Sequence, residues 1–206
     1  MADPRNVLIT GGNRGIGLSI ARAFQDAGDN VVITHRSGEA PEGLRGVICD
    51  VTDSESVEAA FSAAEVLLGG RIEVLVANAG ITRDGLLMRM SDEDFDAVID
   101  TNLAGAFRCA RRASKGMIAM RRGRIIFISS VVGLLGSAGQ ANYSASKSAL
   151  VGLARSISRE LGVVSTRAGK AIGTSGALKH LDTLLMRHLS NSASSIHRVS
   201  KGQQHA

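Results

Sequence analysis

Apolar residues along the chain fall into two patterns that take turns. Short continuous runs, Val7-Leu8-Ile9, Val31-Val32-Ile33, Val47-Ile48, Ile72 to Ala77 and Arg124-Ile125-Ile126-Phe127-Ile128, are too brief for helices and predict strands. Between them the apolar positions recur with helical spacing. Ile16, Ile20, Ala23, Phe24 and Ala27 predict a helix over residues 15–28 that ends at Gly28. Val57, Ala60, Phe61, Ala64 and Leu67-Leu68 place one apolar face on a helix at 54–68. Residues 91–120 carry two helical patterns broken near Asn102-Leu103, and residues 141–161 predict one long helix.

Short apolar strands alternating with amphipathic helices predict an α/β fold with a parallel sheet covered on both faces. Right-handed crossovers then give a doubly wound, Rossmann-like arrangement. The alternation stops at Gly162. Residues 163–206 are rich in serine and hold neither aromatic residues nor proline. Leu178, Leu181, Leu184-Leu185 and Leu189 suggest one amphipathic helix there, and residues 190–206 have the composition of a disordered segment.

The 206 residues suit one domain large enough to bury a substantial core. Aromatics make up only 3% of the chain, so Val, Ile, Leu and Ala must fill that core. Cys49 and Cys109 lie far apart in no metal-ligand or redox spacing, which predicts buried free thiols in a reducing compartment. No apolar run is long enough to span a membrane, and no signal-peptide pattern opens the chain, so a cytoplasmic protein is expected. The net charge of +5 is unevenly placed: residues 1–162 hold 18 basic and 18 acidic residues, whereas residues 163–206 hold six basic residues and Asp182. That basic stretch lacks aromatics and any recognisable binding motif, which argues against nucleic acid as a partner.

Two places carry chemistry. Thr10-Gly11-Gly12-Asn13-Arg14-Gly15-Ile16-Gly17 follows a predicted strand and opens a predicted helix. Glycine lets backbone approach a phosphate closely, and a helix N-terminus attracts anions, so this turn is a candidate dinucleotide site. At the end of the second strand an acid would bind the ribose 2′-hydroxyl of NAD; Thr34-His35-Arg36 stands there instead. Arg36 and Arg14 are either solvated surface groups or a forked pair for a 2′-phosphate, which would favour NADPH. The second place is Tyr143 and Lys147, four apart on a helix and therefore on one face. A free phenol with a pKa of ~10 ionises too little near neutrality, and an adjacent ammonium favours its charged form. Such a pair can give and take a proton at a carbonyl.

These elements resemble the short-chain dehydrogenase/reductase family. Gly11-x-x-x-Gly15-x-Gly17 has that family's glycine spacing, and Asn78-Ala79-Gly80 is similar to its Asn-Ala-Gly element, which borders the cofactor. The resemblance implies a reaction set of Asn102, Ser130, Tyr143 and Lys147: Tyr143 as proton donor, Lys147 acting on both phenol and nicotinamide ribose, Ser130 on the carbonyl oxygen, and Asn102 holding a water that orients Lys147. It also implies that Asp50 and Val51 contact adenine, although Asp50 reads equally as a cap before Thr52-Asp53-Ser54. With Asn13 and Ile16, these residues make up the expected cofactor site. Ile81-Thr82-Arg83-Asp84-Gly85-Leu86-Leu87-Met88-Arg89-Met90, Ser130-Val131-Val132-Gly133 and Gly139-Gln140-Ala141-Asn142-Tyr143 resemble the 3-oxoacyl-[acyl-carrier-protein] reductases, and Thr34-His35-Arg36-Ser37 resembles their mycobacterial and actinobacterial branch. The activity implied is NADPH-dependent reduction of a 3-oxoacyl thioester on acyl carrier protein, in fatty acid synthesis. Arg121, Arg122 and Arg124 form a candidate landing patch for the acidic carrier.

The resemblance covers residues 5–162, so the reductase domain is expected at 1–162, incomplete, and an atypical tail at 163–206. The family continues with a sixth strand, a Pro-Gly turn, a substrate-covering segment and a seventh strand. The only prolines here are Pro4 and Pro41. Strands six and seven are therefore expected to be missing, as after a reading-frame change or a truncation. Strand five would then lie unpaired at an edge, inviting aggregation. Impaired turnover is expected, with an inactive cofactor-binding or partner-binding fragment as the alternative. The helices at 102–120 and 141–161 match the family's dimer-forming pair, so a homodimer is expected over the family's tetramer.

Overall fold

The computed structural model describes residues 3–162 and the backbone of residues 164–171. Six parallel strands form one sheet: β1 (Asn6–Ile9), β2 (Asn30–His35), β3 (Arg45–Ile48), β4 (Val74–Ala77), β5 (Gly123–Ser130) and β6 (Val164–Ala171). Their spatial order is β3-β2-β1-β4-β5-β6. The order reverses between β1 and β4, and ligands of doubly wound sheets bind at such a switch point, outside the carboxyl ends of the strands. The helices are α1 (Gly15–Asp26), α2 (Ser54–Leu68), α3 (Asp92–Ile99), α4 (Gly105–Met120), the short α5 (Val132–Leu135) and α6 (Ala141–Leu161).

Alternation along each strand sends side chains to opposite faces. Leu8, Val32, Leu75, Ile125 and Phe127 pack with residues of α2, α4 and α6, among them Phe61, Met117 and Leu150. Val7, Ile9, Val31, Ile33, Val74, Val76, Ile126 and Ile128 turn the other way, onto Ile20, Ala21 and Phe24 of α1. The core is thus aliphatic, as the composition requires. Cys49 and Cys109 lie buried as free thiols; burial pushes the Cys49 thiol up to about 11 and raises that of Cys109 further.

Local chemistry sets the ends of the elements. Asp53 accepts the Glu55 N–H and starts α2; Gly69, at φ 70°, ends it in a left-handed turn. The cap of α1 is Ala27, with Gly28 one residue beyond it at φ 87°. The break expected near Asn102 is one turn of π-helix, Asp100–Ala104, joining α3 to α4 without a loop. Such single π turns are often found at functional sites.

One expectation is overturned. A sixth strand is present: β6 pairs with β5 along its whole length, from Gly123↔Val164 to Ser130↔Ala171. It begins beyond Gly162, where the apolar alternation ends, so β5 is paired on both sides and is not an exposed edge. The reason lies in the partner. The free N–H and C=O groups of β5 require pairing whatever side chains the next segment carries, and Val164 and Thr166 are β-branched residues that suit an extended backbone. The expected tail helix, the disordered terminus and the question of a seventh strand fall outside the described residues. Among the described residues no helix is long and apolar enough to cross a membrane.

Candidate active site

The connection from β1 to α1 is shaped by contacts that exclude side chains. A Cβ on Gly17 would lie 2.3 Å from the Gly11 carbonyl oxygen and 2.5 Å from Asn78 Nδ2, so only glycine fits. Gly11 and Gly15 both have positive φ, at 62° and 54°. Asn78 Nδ2 donates to the carbonyls of Thr10 and Gly11, each at 3.0 Å. The buried Thr10 hydroxyl accepts the N–H groups of Asn78 and Ala79, again at 3.0 Å. The turns after β1 and β4 are thereby tied into one unit across the switch point.

This unit floors a cavity of about 630 Å³ lined by Gly11, Asn13, Arg14, Gly15, Ile16, Gly17, Arg36, Asp50, Val51, Asn78, Ala79 and Gly80. Every residue expected to hold the nucleotide, apart from Tyr143 and Lys147, borders this one space. No side chain caps the N-terminus of α1 and no acid stands in its first turn, so its N–H groups are open to an anion. Arg14 and Arg36 are exposed at the rim. The Asp50 carboxylate accepts from the Thr52 hydroxyl at 2.7 Å and the Thr52 N–H at 2.9 Å. Those bonds, with smaller contributions from the Arg36 and Arg108 charges, hold its carboxyl below the usual range. Asp50 therefore turns the chain after β3 and also lines the cavity. The cap of α2 is Asp53.

A second cavity, of about 480 Å³, shares Arg14, Ile16, Asn78, Gly80 and Ile81 with the first. It adds Ser130, Tyr143 and Lys147, so the end of β5 and the first turns of α6 meet there. Lys147 is buried; its Nζ donates to the Ile128 carbonyl at 2.9 Å and lies 5.7 Å from the centre of the Tyr143 ring. Burial lowers its pKa to about 8, which still leaves the ammonium predominant at neutral pH. The Ser130 hydroxyl accepts the Val132 N–H at 3.2 Å, and the neighbouring Ser129 hydroxyl donates to the Lys147 carbonyl at 2.7 Å. Gly133 lets α5 sit against α6, since a Cβ there would come 2.8 Å from the Ser148 nitrogen.

Asn102, the fourth residue of the expected reaction set, lines neither cavity. It is buried on the π turn behind the cavity wall. Its Oδ1 accepts the Ile81 N–H at 2.8 Å, and its Nδ2 donates to the Ile81 carbonyl at 3.0 Å and to Ser146 Oγ at 3.1 Å. A Cβ on Gly80 would lie 2.9 Å from Asn102 Oδ1 and 3.4 Å from Lys147 Nζ, so that glycine keeps the two groups close. Thr10, Ser129, Asn142 and Ser146 were not singled out from the sequence. All four are buried polar residues: Thr10 and Asn142 stand inside quoted motifs without a role of their own, and Ser129 and Ser146 stand next to Ser130 and Lys147, a placement that is the signal for them.

The candidate carrier patch is not at the cleft. Arg121, Arg122 and Arg124 lie at the start of β5 and Ser130 at its end, a separation of about 20 Å at ~3.3 Å per residue. Arg122 pairs with Glu73, and Arg121 forms the left-handed cap of α4 at φ 53°.

The short chain dehydrogenase model matches residues 5–168, a stretch that takes in β1 to β5 and the first half of β6. Over 164 residues the chain is 54% identical to the 3-oxoacyl-[acyl-carrier-protein] reductase MabA of Mycobacterium tuberculosis strain H37Rv, covering 80% of this chain and 66% of that protein. It is 49% identical to MabA of Mycobacterium avium over 185 residues, 90% of this chain and 70% of that one. To the 3-oxoacyl-[acyl-carrier-protein] reductase FabG of Escherichia coli K12 it is 41% identical over 162 residues, 75% of this chain and 66% of the other. The matched stretch thus spans just under two thirds of the length of the first and third of these relatives. With the family's glycine turn, Asn-Ala-Gly element and Ser-Tyr-Lys centre gathered on one cleft, the chain belongs to the short-chain dehydrogenase family.

Proposed function

We propose that the chain is an NADPH-dependent reductase of 3-oxoacyl groups carried as thioesters on acyl carrier protein, forming the 3-hydroxyacyl thioester in cytoplasmic fatty acid synthesis. One observation carries this reading: a nucleotide-sized cavity runs into a second that presents Ser130, Tyr143 and Lys147. The residues present fit the cofactor. The glycine turn brings bare backbone to the cavity, with no room for a Cβ at Gly17 and positive φ at Gly11 and Gly15, the start of α1 offers uncapped N–H groups, and Arg14 and Arg36 suit a 2′-phosphate.

When bound, the reduced nicotinamide supplies a hydride to the carbonyl carbon. The protein's own part is to hold the carbonyl and provide the proton. The Ser130 hydroxyl donates a hydrogen bond to the carbonyl oxygen, in the manner of an oxyanion hole. The Tyr143 phenol gives its proton to that same oxygen, and the Lys147 ammonium stabilises the charge left on the phenol. Asn102 holds the Ile81 backbone at the wall of the cavity. The names of MabA and FabG support acyl carrier protein as the thioester carrier. Exposed Phe107 and Ile118 on α4 favour a homodimer through α4 and α6.

A second reading, a short-chain reductase fold that binds cofactor without turnover, is favoured by the position of the prolines Pro4 and Pro41, neither of which follows α6. On the first reading turnover is slower than that of the relatives, because the Pro-Gly turn that backs the nicotinamide in the family has no counterpart among the prolines of this chain. NADPH oxidation with an acetoacetyl thioester separates the two readings: thioester-dependent oxidation supports the reductase, and NADPH binding without oxidation supports the second.

A further inference from the structure

The first turn of a helix leaves N–H groups without intrahelical partners. In α6 the residue at the cap position, Gln140, does not supply one, because its amide is turned to the Asp84 carboxylate at 3.0 and 3.1 Å. Asn142 serves Tyr143 in its place. Its Oδ1 accepts the Tyr143 N–H at 2.7 Å, while its Nδ2 donates to the carbonyls of Arg83 at 2.8 Å and Asp94 at 3.3 Å. Two carbonyls and one N–H around a single buried amide settle which way it faces.

The other side of Tyr143 is held as well. Its carbonyl accepts from Ser146 Oγ at 2.8 Å, and Ser146 Oγ accepts from Asn102 Nδ2, which itself grips Ile81. The Tyr143 backbone is therefore bonded at both its N–H and its C=O to side chains that reach residues 81 and 83, and those residues line the cavity facing the phenol. A further backbone bond, Gly85 N–H to the Gly139 carbonyl at 2.8 Å, fastens the same loop to the approach to α6.

We infer that Asn142 is a positioning residue: it registers the Tyr143 phenol against the 81–83 wall of the cavity, with Ser146 completing the hold. Its effect on rate rests on the reductase reading; its effect on Tyr143 does not. Tyr143 is the only tyrosine in the chain, so protein made with ring-labelled tyrosine gives a magnetic-resonance signal from this ring alone. Asn142→Ala is expected to shift or split that signal, because the ring no longer occupies one place. If Asn142→Ala does not fold, Asn142→Ser, too short to reach both carbonyls, is expected to move the signal in the same direction by less. A Tyr143 signal that superimposes on the wild type in whichever of these variants folds overturns the inference, even where the melting temperature falls. On the reductase reading, Asn142→Ala also lowers kcat by about ten- to a hundredfold. The cofactor Kd stays within about twofold of wild type, because no atom of Asn142 borders the nucleotide cavity. A shifted tyrosine signal with unchanged kcat would retain the positioning role and count against Tyr143 as the proton donor, so the two ideas fail separately.

Discussion

At the end of the cleft proposed for the nucleotide the chain brings bare backbone to the surface, whereas at the end proposed for the reaction it buries polar side chains. Gly11, Gly15 and Gly17 make the first end: a Cβ on Gly17 would collide with the Gly11 carbonyl, and Gly11 and Gly15 hold positive φ. Asn102, Asn142, Ser146 and Lys147 make the second, each almost fully enclosed and each hydrogen-bonded. The two constructions differ in what they demand of folding. A glycine turn asks only that nothing intrude. A buried polar network must be complete, because a polar group left unpaired costs about 1–3 kcal/mol. The nucleotide end should therefore fail by collision and the reaction end by lost partners or lost charge.

The largest effect is expected at the reaction end. Tyr143→Phe should lower kcat by about 10²–10⁴, the usual worth of a positioned proton donor, and leave NADPH binding nearly intact. Stopped-flow oxidation beside calorimetry checks both halves of that statement, and equal losses in rate and affinity would mean that the phenol belongs to the nucleotide end. Next comes a collision. Gly17→Ala places a methyl 2.3 Å from the Gly11 carbonyl oxygen and should cost about 3 kcal/mol in urea unfolding, with cofactor affinity lost as well. A stability within experimental error of the wild type would show that the turn has slack.

Lys147 links charge to stability, and the sign can be worked out. Burial lowers its pKa from 10.5 to about 8, so between those values the unfolded chain binds more protons than the folded one. Stability must then rise with pH across that window. Below about pH 8 the enclosed charge costs the fold up to about 3 kcal/mol, part of which the bond to the Ile128 carbonyl returns. Lys147→Met should stabilise the protein by about 1–2 kcal/mol at neutral pH, flatten the rise with pH, and eliminate turnover. In the wild type kcat/KM should fall above about pH 8, as the ammonium is lost. A destabilised Lys147→Met would mean that the hydrogen bond outweighs the burial of charge. The smallest effect is at the rim: Arg36→Ala should weaken NADPH by about tenfold or more and leave NADH nearly unchanged, as expected for one lost charge-assisted contact of ~1.5–3 kcal/mol. Equal weakening of both cofactors in calorimetry would remove Arg36 from phosphate recognition.

The same contrast explains what could be read from the sequence. The bounds of α2 and α6 were legible because a cap or an apolar period marks them, and the glycine turn because it follows a strand and opens a helix. β1, β2 and β4 announced themselves as buried apolar runs, and β3, whose Ile48 is exposed, only by the short pair Val47-Ile48. β6 did not, because Val164–Ala171 contains Arg167, Lys170 and Gly169 and lacks an apolar run. Its pairing is a property of the β5 backbone, to which side-chain patterns are blind. Asn142 and Ser146 were passed over for a related reason. A polar residue on a helix reads as solvent-facing until the loop that covers it is known, and that loop is brought by residues 81–85, some sixty positions away. Tyr143 and Lys147 stand out by their spacing and Ser130 by the family resemblance, whereas the side chains bonded around them carry no such mark.

Whether the chain is a reductase that uses Tyr143 is decided by NADPH oxidation with an acetoacetyl thioester, run with the purified chain beside Tyr143→Phe and the full-length MabA of Mycobacterium tuberculosis. Thioester-dependent oxidation is expected, slower than that of MabA and lowered by about 10²–10⁴ in Tyr143→Phe. Bound NADPH with no oxidation, or oxidation undiminished in Tyr143→Phe, would contradict this expectation.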